Sequence, residues 1–400
     1  MINLAGRDIL HSWGKFVLTG AGLGLLIAVT LSMAGVYRGM IDDAQALLDN
    51  SGADLWVVQK DTLGPYAEPS NLSEEMKRPV QSISGVARAA GVTYLTMQLA
   101  HGGRDVRVMV VGAEMAVPGE PGQPAHLVAG RRILADHYEA IADVKTGLAL
   151  GDTVTIRDNK FRIVGLTSRM VSSGGDPMVF LTLKDAQRAQ YVQDSDAIMR
   201  ERARTREDPV LNPPGNPAAA RAVSAAQQRN NTVNAVLVAL APGADADKVA
   251  ETIRRWQRLT VYTRAQMEEI LVEKMIANSA RQIGLFLVIL AVVCAAIVAF
   301  IIYTMTIGKI REIAVLKLIG TRNRTISGMI LQQALGLGII GFVVGKIAAS
   351  IWAPFFPKYV LLLPSDSIIG FFATMAICVL ASLLAIRVAL GVDPAEAIGG

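Results

Sequence analysis

The chain is poor in the side chains that carry chemistry. Its 400 residues include 2 cysteines and 4 histidines, and charged residues make up 18%, below the roughly 25% of an average soluble domain. His11, His101, His126 and His137 have no close metal-ligand spacing, and no HExxH occurs. The GxxxxGK[ST] phosphate loop is also missing. The glycine pairs at 102–103 and 174–175 lack the downstream Lys and Ser/Thr that would hold a nucleotide and magnesium. Ser172 and Ser173, in VSSGGDP, lack a strand-to-helix nucleophile setting, and Asp152 and Asp158 read as turn residues. These absences speak against an enzyme, and energised work by this chain would need its nucleotide chemistry from another subunit. Cys294 and Cys378 fall inside apolar runs and read as small packing residues.

Apolar residues, at 52%, are what the chain has in excess. Residues 16–37, 282–308, 325–345 and 367–386 contain no Asp, Glu, Lys or Arg. Each is long enough to cross roughly 30 Å of hydrocarbon, and the third continues past Lys346 to about residue 353. No small-residue cleavage site follows the first run, so it reads as a retained span and not a signal peptide. The expected fold class is thus an α-helical polytopic membrane protein with four transmembrane helices and a large extracytoplasmic α+β domain. Lys309, Arg311, Lys317, Arg322 and Arg324 crowd the loop between the second and third runs, whereas the 354–366 loop holds only Lys358 and Asp366. The positive-inside rule then places both termini and residues 309–324 in the cytoplasm. The formal charge of +5 needs no nucleic-acid partner, since much of the surplus lies where that rule would put it.

The resulting division has residues 1–15 as an interfacial helix, 16–37 as the first span and 38–281 as the external domain with its stalk helices. Then come 282–308 as the second span, 309–324 as a cytoplasmic segment, 325–353 as the third span and 354–366 as an outer loop. The fourth span, 367–386, and a cytoplasmic tail, 387–400, complete it. In the external region ADLWVVQK, VTYLTMQLA, RDVRVMVVGAE and PMVFLTL read as strands, with the HGG turn between the second and third. A helix is expected near 130–145, followed by a hairpin around Asp158-Asn159. Residues 200–230, rich in Pro and Arg and poor in large hydrophobes, read as an exposed insertion. Beyond it a strand, a helix opened by Asp245 and Asp247, and the strand LTVYT follow. Residues 38–49 and 264–281 can extend the first and second spans as rigid struts.

Two features of the membrane part stand out. GLGIIGFVVG places Gly336, Gly338, Gly341 and Gly345 where close helix approach is open to them, within one chain or between two. Lys346 follows many apolar residues, and it can snorkel, pair or line a pathway. The segment KIREIAVLKLIG, residues 309–320, carries more apolar structure than a short loop requires. On a helix, Ile310, Ile313, Leu316 and Lys317 approximate one face, and Val315, Leu318 and Ile319 add further apolar contacts. Such a helix can dock a soluble partner or lie against the membrane interface.

Nearly the whole chain resembles the FtsX-like permease family, including the permease portions of macrolide exporters and lipoprotein-releasing transporters. The resemblance rests on the order of one span, a large external domain and three terminal spans. Its local carriers are REIAVLKLIGTRNRTI, MILQQALGLGIIGFVVG and RVALGVDPAEAIGG. It implies a noncatalytic, homodimeric inner-membrane permease paired with a cytoplasmic dimer of ATP-binding-cassette subunits. ATP and Mg2+ would be bound by that partner and no cofactor by this chain. Residues 309–320 match the family's coupling helix, with Ile313, Leu316 and Ile319 as docking contacts and Arg311 and Glu312 setting orientation at the motor. The expected activity is mechanotransmission for export with a periplasmic adaptor and an outer-membrane channel, as in the heterocyst glycolipid branch. Lipoprotein release, haem export and control of an external hydrolase are the alternatives.

Overall fold

The computed structural model describes residues 13–135, 137–190, 203–204, 231–256, 258–356 and 358–391. Residues 1–12 of the interfacial helix expected over 1–15, nearly all of the 200–230 insertion and the tail beyond 391 lie outside them, and residues 13–15 open the first membrane helix. The chain divides into a membrane unit, up to Asp42 and from Ala277 onward, and a second unit, Asp43–Ile276.

Among the described residues four helices are long and apolar enough to cross a bilayer. Helix α1, Trp13–Asn50, runs unbroken from the first apolar run to the start of the second unit. The third apolar run ends as part of Asn323–Trp352 and the fourth as Pro364–Gly391. The second run forms Ala277–Ile307, and it is preceded without a break by helical residues from Arg264. Inside the unit Leu23, Ile27, Val298, Ile302, Ile330, Leu337 and Cys378 share one apolar core.

The second unit is built on a ten-stranded mixed sheet. Its axis is the strand Val86–His101, whose first half pairs with Ala235–Leu240 and whose second half pairs with Arg104–Ala113. The HGG turn closes the hairpin of Val86–His101 and Arg104–Ala113 with Gly102 and Gly103 at φ 58° and 75°, the left-handed geometry that favours glycine in a two-residue hairpin. One lobe packs the strands Leu55–Gln59, Ala235–Leu240 and Leu259–Thr263 against the helix Ala246–Arg254. Asp245 caps that helix by accepting from the Asp247 and Lys248 amides. The other lobe surrounds Phe161, Ile163 and Leu181.

One element differs from expectation. The helix anticipated near 130–145 is instead the two-residue strand Ala129–Gly130, the strand Glu139–Asp143 and a 3-10 turn at Val144–Thr146. Gly130 adopts φ +83° and a Cβ there would run into the Val164 carbonyl oxygen, so the chain cannot coil at that point. Ala140–Asp143 is buried on both faces between Met178–Thr182 and Asn159–Thr167, which makes it a central strand despite its helix-forming composition. The hairpin near Asp158 forms one residue earlier than anticipated: Ile156 pairs with Asn159, and Arg157 takes the positive φ of 54°.

Candidate coupling site

Gly308 ends the second membrane helix, and the chain at once forms a short helix, α2, Ile310–Leu318. Its end is specified by sequence. Gly320 takes φ +86°, its amide donates to the Lys317 carbonyl, and the Thr321 amide donates to the Leu316 carbonyl. That pair of bonds closes the helix with a left-handed glycine and frees the chain to begin α3, Asn323–Trp352.

The helix presents two unlike faces. Ile313 is 1% exposed and joins Ile326 and Ile330 in the membrane-unit core, with Ala314 beside it. Leu316 and Lys317 are half-buried, and the Lys317 ammonium donates to the Leu390 carbonyl at 2.9 Å. Val315, Leu318 and Ile319 are 45%, 65% and 75% exposed, and their i, i+3, i+4 spacing puts them on one side. Arg311, Glu312, Arg322 and Arg324 are exposed around them.

Of the residues expected to dock a motor, Arg311, Glu312 and Ile319 are therefore outward and Leu316 partly so. Ile313 is turned inward, because the first apolar stripe of a helix between two spans is consumed by packing on those spans. Val315 and Leu318, expected as further apolar contacts but not as docking contacts with the motor, stand on the outward face. The signal for this was present, since α2 holds more aliphatic residues than one buried stripe can absorb.

Three glycines of α3 pack within the chain. A Cβ on Gly338 would meet Cys378 and Met375, on Gly341 it would meet Leu23, and on Gly345 it would meet Gly24 and Ile27. Gly336 is half-buried, and Lys346 is exposed.

Among the described residues the second unit offers little that could perform a reaction. One small pocket in it is lined by residues including Leu47, Tyr66, Tyr94, Met170, Met178 and Phe180. Trp56 donates to the Tyr66 hydroxyl at 3.2 Å, and the two tyrosine hydroxyls lie 3.2 Å apart. Burial pushes both phenols above their ordinary pKa, so the pocket carries no charge. His137 pairs with the buried Asp185 at 2.8 Å, and His126 meets Ser168 at 3.2 Å. Among the described residues no cluster of His, Cys, Asp and Glu could hold a metal.

Residues 16–256 match the MacB-like periplasmic core domain, and residues 284–394 match the FtsX-like permease C-terminal. The chain belongs to the FtsX-like, MacB-like family of ABC-transporter permeases. These are noncatalytic subunits that couple conformational change to a partner ATPase, and the chain is a multi-pass inner-membrane protein with an extracytoplasmic domain. Over 400 residues it is 26% identical to an uncharacterized ABC transporter permease of Mycobacterium tuberculosis, with 100% of both chains covered. Over 407 residues it is 21% identical to a provisionally named hemin transport system permease of Staphylococcus haemolyticus, covering 100% of this chain and 99% of the relative. The periplasmic region of MacB from Actinobacillus actinomycetemcomitans is similar at 11% identity and TM-score 0.35, over 56% of this chain and 95% of that one.

Proposed function

We propose that this permease works as a dimer with two cytoplasmic cassette ATPases, and that α2 is the surface on which the motor acts. The observation that carries this is the outward aliphatic face Val315–Leu318–Ile319 on a helix whose opposite face is fixed in the membrane core. A surface pushed by a partner needs both an apolar contact to bind and a rigid backing to transmit. The basic residues Arg311, Arg322 and Arg324 around it fit the cytoplasmic side, where the motor is. The motion would be delivered to the extracytoplasmic domain, and the leading use is export with a periplasmic adaptor and an outer-membrane channel. The Staphylococcus haemolyticus relative favours a second reading, transport of a haem-like molecule.

The test is co-purification of the cassette ATPase with the full-length permease and with Leu318→Asp/Ile319→Asp. The apolar contact would have to bury two carboxylates without prepared partners, so the variant should insert and fold yet lose the ATPase. Retained ATPase association and wild-type stimulated hydrolysis would overturn the assignment of α2. Deletion of the gene separates the uses: trapped cargo supports export, and altered activity of an external hydrolase supports a regulatory scaffold.

A further inference from the structure

Within the membrane unit the last described helix, α4, Pro364–Gly391, is fastened in its first turn and again at Leu390. In its last described turn the Leu390 carbonyl accepts from the Lys317 ammonium of α2 at 2.9 Å. At its N-terminal end Asp366, in the first turn, receives Nε and Nη2 of Arg38 on α1, each at 3.1 Å. This two-point pairing fixes direction as well as distance.

The loop leading into α4 adds a second hold on the same turn of α1. The Leu361 amide donates to the Gly35 carbonyl at 3.0 Å. A Cβ on Gly39 would overlap the Tyr359 carbonyl oxygen, and one on Gly35 would press on Val360. Between its two ends α4 buries Ser367, Thr374, Cys378, Ala381, Ser382, Ala385 and Ala389, small residues along one face that let it lie close to its neighbours. It is an uninterrupted helix of 28 residues, about 42 Å long at 1.5 Å per residue.

We infer that α4 is the connecting rod of the permease: it carries displacement of α2 to α1, with Lys317 and the Arg38–Asp366 pair as its fastenings. These three are positioning residues. Helix α1 continues without interruption from Arg38 to Asn50, so a push on α4 at Arg38 acts on the same helix that carries residues 40–50. The competing route is the second membrane helix, which is joined to α2 through Gly308 and Lys309. That route passes a π-helical stretch at Ile270–Ile276, where the regular i→i+4 ladder is interrupted. The inference rests on α2 being the motor surface.

The test uses the full permease–ATPase complex in liposomes and reads hydrogen exchange at residues 40–50 with and without ATP. The parent should show an ATP-dependent change in exchange there. Arg38→Ala, Asp366→Ala and Lys317→Met should each keep the ATPase bound and hydrolysing while the change shrinks by about two- to thirty-fold, the range of mutational effects on coupling. The charge-swapped Arg38→Asp/Asp366→Arg should recover it, which a variant that merely misfolds could not do. A full response in all three single variants overturns the rod and leaves the second helix as the route. A swap as defective as the singles, though inserted and ATPase-bound, overturns the role of the ion pair. An ATP-silent parent with ATPase bound overturns the reading of α2 as well, and so separates the two failures.

Discussion

Gly345→Ala is the substitution whose outcome the packing of the membrane unit determines most sharply. The added Cβ would stand 2.7 Å from the Gly24 carbonyl oxygen and 2.9 Å from Ile27 Cβ. The first of these neighbours is backbone, so relief requires α1 and α3 to move apart. Forcing an extra carbon into a closed contact costs typically about 1–3 kcal/mol. Three contacts below 3.0 Å, one of them to backbone, put this site at the upper end. Replacing Gly by Ala inside a helix returns about 1 kcal/mol of intrinsic propensity. The net expectation is about 2 kcal/mol of destabilisation, roughly a thirty-fold shift in the unfolding equilibrium. Gly328→Ala is the control, because nothing lies within 4 Å of its Cβ position and only the propensity gain remains. Detergent-induced unfolding of the purified permease reads the stability, and cross-linking in native membranes reads the dimer. Gly345→Ala should lose stability while the permease that remains folded still cross-links as a pair. Unchanged stability with a lost dimer would refute the reasoning, and would assign the glycine face to contact between copies.

Thr263 and Gln266 form a reciprocal capping box at the start of the helix Arg264–Glu269, so Thr263→Ala should destabilise it by about 1 kcal/mol. Faster amide exchange confined to residues 264–269 is the expected sign, and unchanged exchange there contradicts it. The Arg131 guanidinium beside Glu139, aided by the Leu134 and Ala135 amides, holds that carboxyl down at about 2. Because the folded value is depressed, the stabilisation is fully present above the ordinary carboxylate value of 4.5 and decays as pH falls toward 2. Protection of the Leu134 and Ala135 amides should therefore survive at pH 3.5 in the parent and fail at higher pH in Arg131→Ala; loss at pH 4.5 in the parent would contradict this. Gly320→Val should fray the end of α2, since a β-branched residue is strained at φ +86°. Reduced stimulation of the ATPase with normal membrane insertion is the measurable consequence.

The sequence was most legible where one physical rule dominates. A bilayer demands about twenty apolar residues per crossing, so four charge-free runs translate directly into four helices. Glycines at 102, 103 and 320 announce turns because only they take left-handed backbone at no cost. Legibility failed where tertiary context overrides composition. Ala140–Asp143 contains good helix formers, yet two neighbouring strands bury it on both faces, and no local pattern reveals that. The coupling helix shows the same limit in a milder form. Its aliphatic residues are plain in the sequence, but which of them the membrane core claims depends on where Ile326 and Ile330 sit after the chain turns back at Gly320. The pairing of Arg38 with Asp366 spans 328 positions in the chain and leaves no sequence trace.

A photo-cross-linking side chain placed at position 319, and separately at 313, in the intact membrane complex would test the central claim most directly. Ile319 is 75% exposed and Ile313 1% exposed, six residues apart on one short helix. Position 319 should give an adduct with the cassette ATPase, and position 313 should give none. An assembled, hydrolysing complex in which 319 yields no ATPase adduct would contradict the assignment of this helix as the surface that receives the motor's motion.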